Sequence, residues 1–395
     1  MRPTISSTVL AALTTLSLPC VSTAQQQYTL KDDLSYKNFF NSFEFFSGPD
    51  PTNGFVQYQT REAAVKDNLV GYLNDTESVF MGVDHTTKDA KGRASVRLES
   101  KQTWNQGLLI ADINHMPDST CGTWPAFWLL GVGPEKNSSS WPNFGEIDLL
   151  EGVNDETNNA VTLHTSEGCT IANAVGGGNS GNNNNSSTSA GAAADSSASA
   201  GFMGSVSTPN CDVNAKNQDK NVGCSIKAPA SRADFATYGT DFNTAGGGVY
   251  AMEWTTSSIS VWFFPRNSSS MAAVSPPSNN GTAASPASLD PSTFGKPLAK
   301  FSGPGCDYEK KFDSMKVIFN TALCGDWAGK EWEKSCQAKT GAATCEEYVE
   351  NNPEAFADAY WEVKGLKWYQ AAAAAAAQDK AAAPAGKMKR FNWSA

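Results

Sequence analysis

A chain of 395 residues with a formal charge of −10 and a pI near 4.9 lacks the basic face that phosphates demand, which excludes nucleic acid as a partner class. A neutral polysaccharide makes no such demand. Hydrophobic residues at 40% supply a sizeable core, and no apolar run approaches the ~18 residues of a membrane span.

In chain order, the first segment reads as an address. Arg2 precedes a short apolar stretch from Thr8 to Leu18, and Ser22-Thr23-Ala24 offers small residues for cleavage after Ala24. Residues 1–24 are therefore expected to be a signal peptide, leaving a secreted, extracellular, soluble chain. From Phe39 onward come short alternating or apolar runs between turn residues: Ser95–Ser100, Gly107–Ile113, Val249–Trp254, Ile259–Phe264, Lys316–Asn320 and a last one at Tyr360–Tyr369. Many short strands with little 3.6-residue periodicity predict an all-β sandwich or jelly roll, one large domain over 25–370.

Two segments look unlike fold. Residues 173–207 are almost wholly Gly, Asn, Ser and Ala, too poor in apolar surface to offset ordering entropy, and read as a long insertion because strand-like sequence resumes after them. Residues 371–395 form an alanine-rich tail predicted to be disordered, without the apolar end of a lipid-anchor signal. Of nine cysteines, Cys20 lies in the signal, and the other eight show no paired C-x-x-C zinc spacing. An even number in an exported chain predicts disulfides of open connectivity, since eight cysteines allow ~105 pairings. Sequons at Asn74, Asn137, Asn184, Asn185, Asn267, Asn280 and Asn392 fit the same compartment.

The stretch from Trp141 to Gly152 carries the chemistry. Alternation puts Glu146 and Asp148 on one face of a strand with Ile147 in the core, and leaves Glu151 at the wrong parity. One extra residue at Leu149-Leu150, a β-bulge, returns Glu151 to the face of the other two. Carboxyl groups crowded on one face raise one another's pKa, which is how a retaining glycosidase keeps an acid protonated about 5–5.5 Å from its nucleophile. In Trp124-Pro125-Ala126-Phe127-Trp128 the two tryptophans share parity, so both can face a sugar while Phe127 enters the core. At least half of the eleven tryptophans are expected to be packing residues.

The Gly145–Asn154 stretch, with Cys121–Trp128 before it and Thr162–Thr165 after it, resembles glycoside hydrolase family 16, in its fungal laminarinase or endo-1,3(4)-β-glucanase branch. The likeness extends through Asp50–Thr52, Arg97–Lys101, Gly246–Arg266, Phe319–Thr321, Gly325–Gly329 and Tyr360–Gln370. It implies a jelly roll of two curved antiparallel sheets with a β-glucan across the concave one. It further implies Glu146 as nucleophile, Glu151 as general acid/base and Asp148 as the assisting carboxylate. His164 is implied to bond the acid cluster. Trp124 and Trp128 are candidates for sugar stacking. Trp141 either stacks or shapes the wall beside Glu146, Arg97 either donates to sugar hydroxyls or forms a cross-strand ion pair, and Trp327 falls on the leaving-group side. No metal or organic cofactor enters this chemistry, although some members carry a structural calcium. A monomer acting on β-glucan is expected. Two alternatives stay open: a cell-wall transglycosylase, whose relatives typically have the shorter E-x-D-x-E spacing, and a non-catalytic glucan-binding protein, which usually lacks the acids.

Overall fold

The short alternating runs form strands whose apolar sides meet between two antiparallel sheets. The computed structural model describes residues 26–135, 140–171, 201–274 and 287–372. The expected signal, the tail from 373, most of the 173–207 insertion and the sequons at Asn137, Asn184, Asn185, Asn280 and Asn392 lie outside the described residues. Asn74 and Asn267 are described, and both are exposed.

One sheet has nine strands. Its path runs Ser288–Leu289, Tyr28–Asp33, Tyr360–Ala371, Gly107–His115, Gly248–Trp254, Ser258–Pro265 and Ala299–Ser302, and Ser78–Gly82 branches from the Tyr360–Ala371 strand to carry Val70–Leu73. The other has eight, in the order Ser205–Thr208, Cys224–Lys227, Ala160–His164, Glu146–Glu151, Thr123–Gly131, Met315–Leu323, Arg97–Ser100 and Phe43–Phe46. This is the expected jelly roll. The run expected at Ser95–Ser100 is divided at Val96: Arg93–Ser95 pairs in parallel with Val56–Tyr58, and Arg97–Ser100 joins the eight-stranded sheet.

Between the sheets, Phe127, Ile147, Leu163 and Phe319 from one side meet Leu109, Met252, Val261 and Trp368 from the other in one buried cluster. Phe127 and Phe319 stack with centroids 4.3 Å apart. Burial of this kind contributes roughly 25 cal/mol per Å2 of apolar surface, and it selects which face of each strand turns inward. The eight cysteines pair as Cys121–Cys336, Cys169–Cys306, Cys211–Cys224 and Cys324–Cys345. Two of these hold a region of short helices, Trp332–Ser335, Gln337–Thr340 and Cys345–Asn351, which the strand pattern did not foretell. Among the described residues no helix is long and apolar enough to cross a membrane.

The insertion ends earlier than its expected limit of 207. Phe202 is buried in the core, Met203 packs on the same cluster, and Ser205–Thr208 is an edge strand. Phe202, Met203 and Val206 supply apolar contacts to this cluster. The tail likewise starts one residue later, since Ala371 still belongs to the last strand.

Gly145 sets the entry to the acidic strand. Its φ is +77°, a region only glycine enters freely, and a Cβ there would lie 2.6 Å from the Lys311 carbonyl oxygen and closer still to the Phe312 ring. Gly145→Ala should therefore lower the melting temperature by roughly 3 °C or more. A thermal scan within one degree of the parent would show that the Phe312 wall yields and that this glycine is dispensable.

Candidate active site

The acidic strand follows alternation until it must break it. Glu146 lies opposite Leu130 and Asp148 opposite Trp128 on the neighbouring Thr123–Gly131 strand; then Leu150 lies opposite Phe127 and Glu151 opposite Ala126. Leu149 is the extra residue of a β-bulge. Ile147, Leu149 and Leu150 are all buried in the inter-sheet core, so two adjacent leucines point inward and Glu151 emerges beside Glu146 and Asp148. On the other side, Glu146 pairs with His164 and Asp148 with Thr162.

The three carboxyl groups are poorly hydrated. Burial, then the charges of Asp148 and Glu151, push Glu146 up to about 8, against the opposing pull of His164 and of the Trp141 hydrogen bond. Burial and the charge of Asp148 push Glu151 up to about 8, against the Trp124 hydrogen bond and His164. Asp148, only 2% exposed, is raised well above the ordinary carboxylate range by burial. Three groups in this state titrate as a set that shares protons rather than as separate acids.

Their partners are indoles and one imidazole. Trp141 Nε1 donates to Glu146 Oε2 at 2.8 Å, and Trp124 Nε1 donates to Glu151 Oε1 at 2.8 Å. His164 Nε2 lies 3.3 Å from Asp148 Oδ2 and 3.9 Å from Glu146 Oε1. Glu146, Asp148 and His164 are also close enough to gather around a cation. Gly223 leaves room for this imidazole, since a Cβ there would meet His164 Nδ1 at 2.9 Å.

Six of the ten described tryptophans are buried; the other four are Trp124, Trp128, Trp141 and Trp327. Trp327 sits in the Gly325–Gly329 turn and packs edge-to-face on Trp124, with centroids 5.6 Å apart. Trp128 Nε1 donates to Asn320 Oδ1 at 2.7 Å. The Arg97 guanidinium is held between the rings of Phe46 and Trp128, 4.8 and 5.1 Å from their centroids, a cation–π arrangement. Arg97 forms an ion pair, as one of its two alternatives had it, but with Glu99 on its own strand at 2.9 Å and not across strands; Glu99 in turn pairs with Lys316 at 3.2 Å.

The structure thus gathers Glu146, Asp148, Glu151, Trp124, Trp141 and His164 into one contact set, joins Trp327 to it through Trp124, and places Trp128 and Arg97 beside it. Sequence reasoning missed two buried asparagines. Asn320 carried a legible signal, a polar residue inside the apolar Val-Ile-Phe-Asn-Thr-Ala-Leu strand. Asn159 carried none, because it stands in an asparagine-rich turn. Its side chain bonds Glu151 N–H and the Leu149 carbonyl.

A jelly roll with paired glutamates and an aspartate on the outer face of one bulged strand defines a class of carbohydrate-active β-sandwich. Residues 43–369 match the family model described as the XgeA-like, catalytic GH16 domain, and the chain belongs to glycoside hydrolase family 16. It is 42% identical over 345 residues to an endo-1,3(4)-beta-glucanase of Arthroderma benhamiae, covering 87% of this chain and 65% of that protein. It is 35% identical over 368 residues to the endo-1,3(4)-beta-glucanase xgeA of Emericella nidulans, covering 91% and 50%. The chain therefore spans about half to two thirds of the length of these curated relatives. Among solved structures, it resembles the GH16 Laminarinase 16A from Phanerochaete chrysosporium with 6-O-glucosyl-laminaritriose in donor and acceptor sites, at 36% identity and a TM-score of 0.69. It also resembles an elongating GH family 16 beta-1,3-glucosyltransferase, at 38% identity and a TM-score of 0.68. Each alignment covers 87% of this chain and 100% of the solved one.

Two measurements probe the electrostatics. An indole N–H stabilises the ionised form of the carboxylate it bonds, so Trp124→Phe should raise the Glu151 titration and Trp141→Phe that of Glu146, read by carboxyl 13C NMR; a downward shift in either would refute the role of the indole. Between the unfolded pKa near 4.5 and the folded value of about 8, the folded state holds a proton that the unfolded state has released, so stability falls as pH rises through that window. Glu151→Gln removes this penalty. It should melt a few degrees above the parent at pH 7 and converge with it at pH 4; a constant offset across that range would show that burial of Glu151 costs nothing.

Proposed function

We propose that this chain is an exported, endo-acting, retaining hydrolase of 1,3-β- or mixed 1,3-1,4-β-glucan. The observation that carries the proposal is the bulge at Leu149, which turns Glu146, Asp148 and Glu151 to one face in a chain of this family. The glucan lies across the eight-stranded sheet. Glu146 attacks the anomeric carbon while Glu151 protonates the departing glycosidic oxygen; Glu151 then takes a proton from the water that opens the glycosyl-enzyme, so the configuration is retained. The shared elevation does not separate the two glutamates. Their roles follow from the match of Glu146 and Glu151 to the family motif.

Asp148 shares a proton with Glu146, and His164 spans the two. Burial of the set favours a protonated acid at working pH, and the indole of Trp141 offers Glu146 a hydrogen bond that stabilises its anionic form. Trp124 orients Glu151 through one bond and leaves its other oxygen for the substrate. Trp128, Trp141 and Trp327 offer partly exposed rings for sugar faces, and Arg97, held by Glu99 and two rings, buttresses that wall. Four disulfides support export to an oxidising compartment.

A second reading is transfer to a sugar hydroxyl instead of water. Similarity to the glucosyltransferase is as high as to the laminarinase, so overall likeness does not choose between the two acceptors. The names of the curated relatives favour hydrolysis. Incubation with laminarin, lichenan and a 1,4-β-glucan, followed by reducing-end assay and size profiling, separates them: hydrolysis yields only shorter products, and transfer yields some longer ones. Glu146→Gln and Glu151→Gln should each lose nearly all turnover on laminarin, roughly 10²–10⁴-fold for the acid/base. Turnover near that of the parent in either variant would refute the assignment.

A further inference from the structure

A bulge leaves ladder hydrogen bonds unmade, and buried backbone groups require partners. At this bulge the partner is a single side chain. Asn159 is fully buried; its Oδ1 accepts from Glu151 N–H at 3.0 Å, and its Nδ2 donates to the Leu149 carbonyl at 2.7 Å. One planar amide thus brackets Leu150, the residue after the extra one, and fixes the peptide that carries Glu151. Asn159 is itself tied down on both sides. Its N–H donates to Thr237 Oγ1 at 3.1 Å, and its carbonyl accepts from Ala228 N–H at 2.8 Å, just beyond the Cys224–Lys227 strand. The Thr237 carbonyl accepts the hydroxyl of Tyr250, from the nine-stranded sheet, at 2.6 Å.

We propose that the Asn159 carboxamide is a positioning residue that sets the reach of Glu151 toward the glycosidic oxygen, an inference that rests on Glu151 being the acid/base of the proposed reaction. Asn159 stands just before the Ala160–His164 strand that flanks the acidic one and acts through the backbone. Glu146 precedes the bulge and is registered independently by Leu130 and His164, so loss of the amide displaces the proton donor and spares the nucleophile. A misplacement of about 1 Å costs ~10²-fold in rate. The loss therefore falls on leaving groups that need a proton.

The test compares the whole chain as wild type, Asn159→Ala and Asn159→Asp on two substrates: laminarin, whose sugar leaving group needs protonation, and a dinitrophenyl β-laminaribioside, whose leaving group departs as the anion. kcat/KM reports bond cleavage in both. Asn159→Ala should lose ~10–100-fold on laminarin and less than about threefold on the aryl glycoside, a split that a merely structural loss would not produce. Asn159→Asp adds a pH signature. Protonated, its carboxyl donates to the Leu149 carbonyl and accepts from Glu151 N–H as the amide does; ionised, it loses the donation, so its laminarin activity relative to wild type should fall as pH rises. Equal losses on both substrates, laminarin activity of Asn159→Ala within twofold of wild type, or a pH-independent ratio for Asn159→Asp overturns the proposal. If Asn159→Ala does not fold, the pH ratio of Asn159→Asp decides. A wild type that cleaves neither substrate overturns the proposed function and this inference with it, whereas an active wild type with indiscriminate variants overturns this inference alone.

Discussion

Carboxyl groups on one face of one strand resist ionising together, and much of the architecture around Glu146, Asp148 and Glu151 accommodates that resistance. Behind them, Ile147, Leu149 and Leu150 close the core side to water, which raises the cost of charge. In front, their hydrogen-bond donors are the neutral indoles of Trp124 and Trp141. An adjacent arginine would pull a carboxyl pKa down by 1–3 units and leave the set without a protonated member. Arg97 is occupied instead, by Glu99 and two aromatic rings. The site is thus kept short of positive charge, and shared protons perform the neutralisation.

Each glutamate has its own indole, and the two indoles are anchored differently. Trp141 reaches Glu146 from a partly exposed position just before the acidic strand. Trp124 reaches Glu151 from within the adjacent strand and leans on Trp327. That contact is bracketed by covalent links: Cys121 and Cys324, immediately before the two elements, are bonded to Cys336 and Cys345 in the helical region. The proton donor of the proposed reaction is thereby tied to parts of the chain some two hundred residues apart.

Period-two alternation made the strands and the shared face of the acids legible from sequence, because one polarity rule governs both. The bulge was legible for the same reason: Glu151 at odd parity beside two leucines left one way to satisfy both core and face. Arg97 was half legible, since its residue type announces an ion pair but its direction depends on strand neighbours. The end of the insertion was blurred because Phe202 and Val206 are scattered among serines and glycines. The disulfide pairing and the Asn159 contact were not legible at all, since both depend on which distant segments the sheets bring together. The short helices at 332–351 were hidden by the lack of any amphipathic period long enough to register.

The Tyr360–Ala371 strand, last in sequence among the described ones, is not at an edge. It lies between the first strand, Tyr28–Asp33, and the Gly107–His115 strand, and also carries Ser78–Gly82. Synthesis proceeds from the other end, so the nine-stranded sheet stays open through its middle until nearly the whole domain has left the ribosome. Contacts of such long sequence separation form slowly, and until they do the apolar inner faces of the earlier strands have no cover. In the proposed export this delay is an advantage: the chain remains threadable during passage and covers the core behind the acidic strand only after delivery.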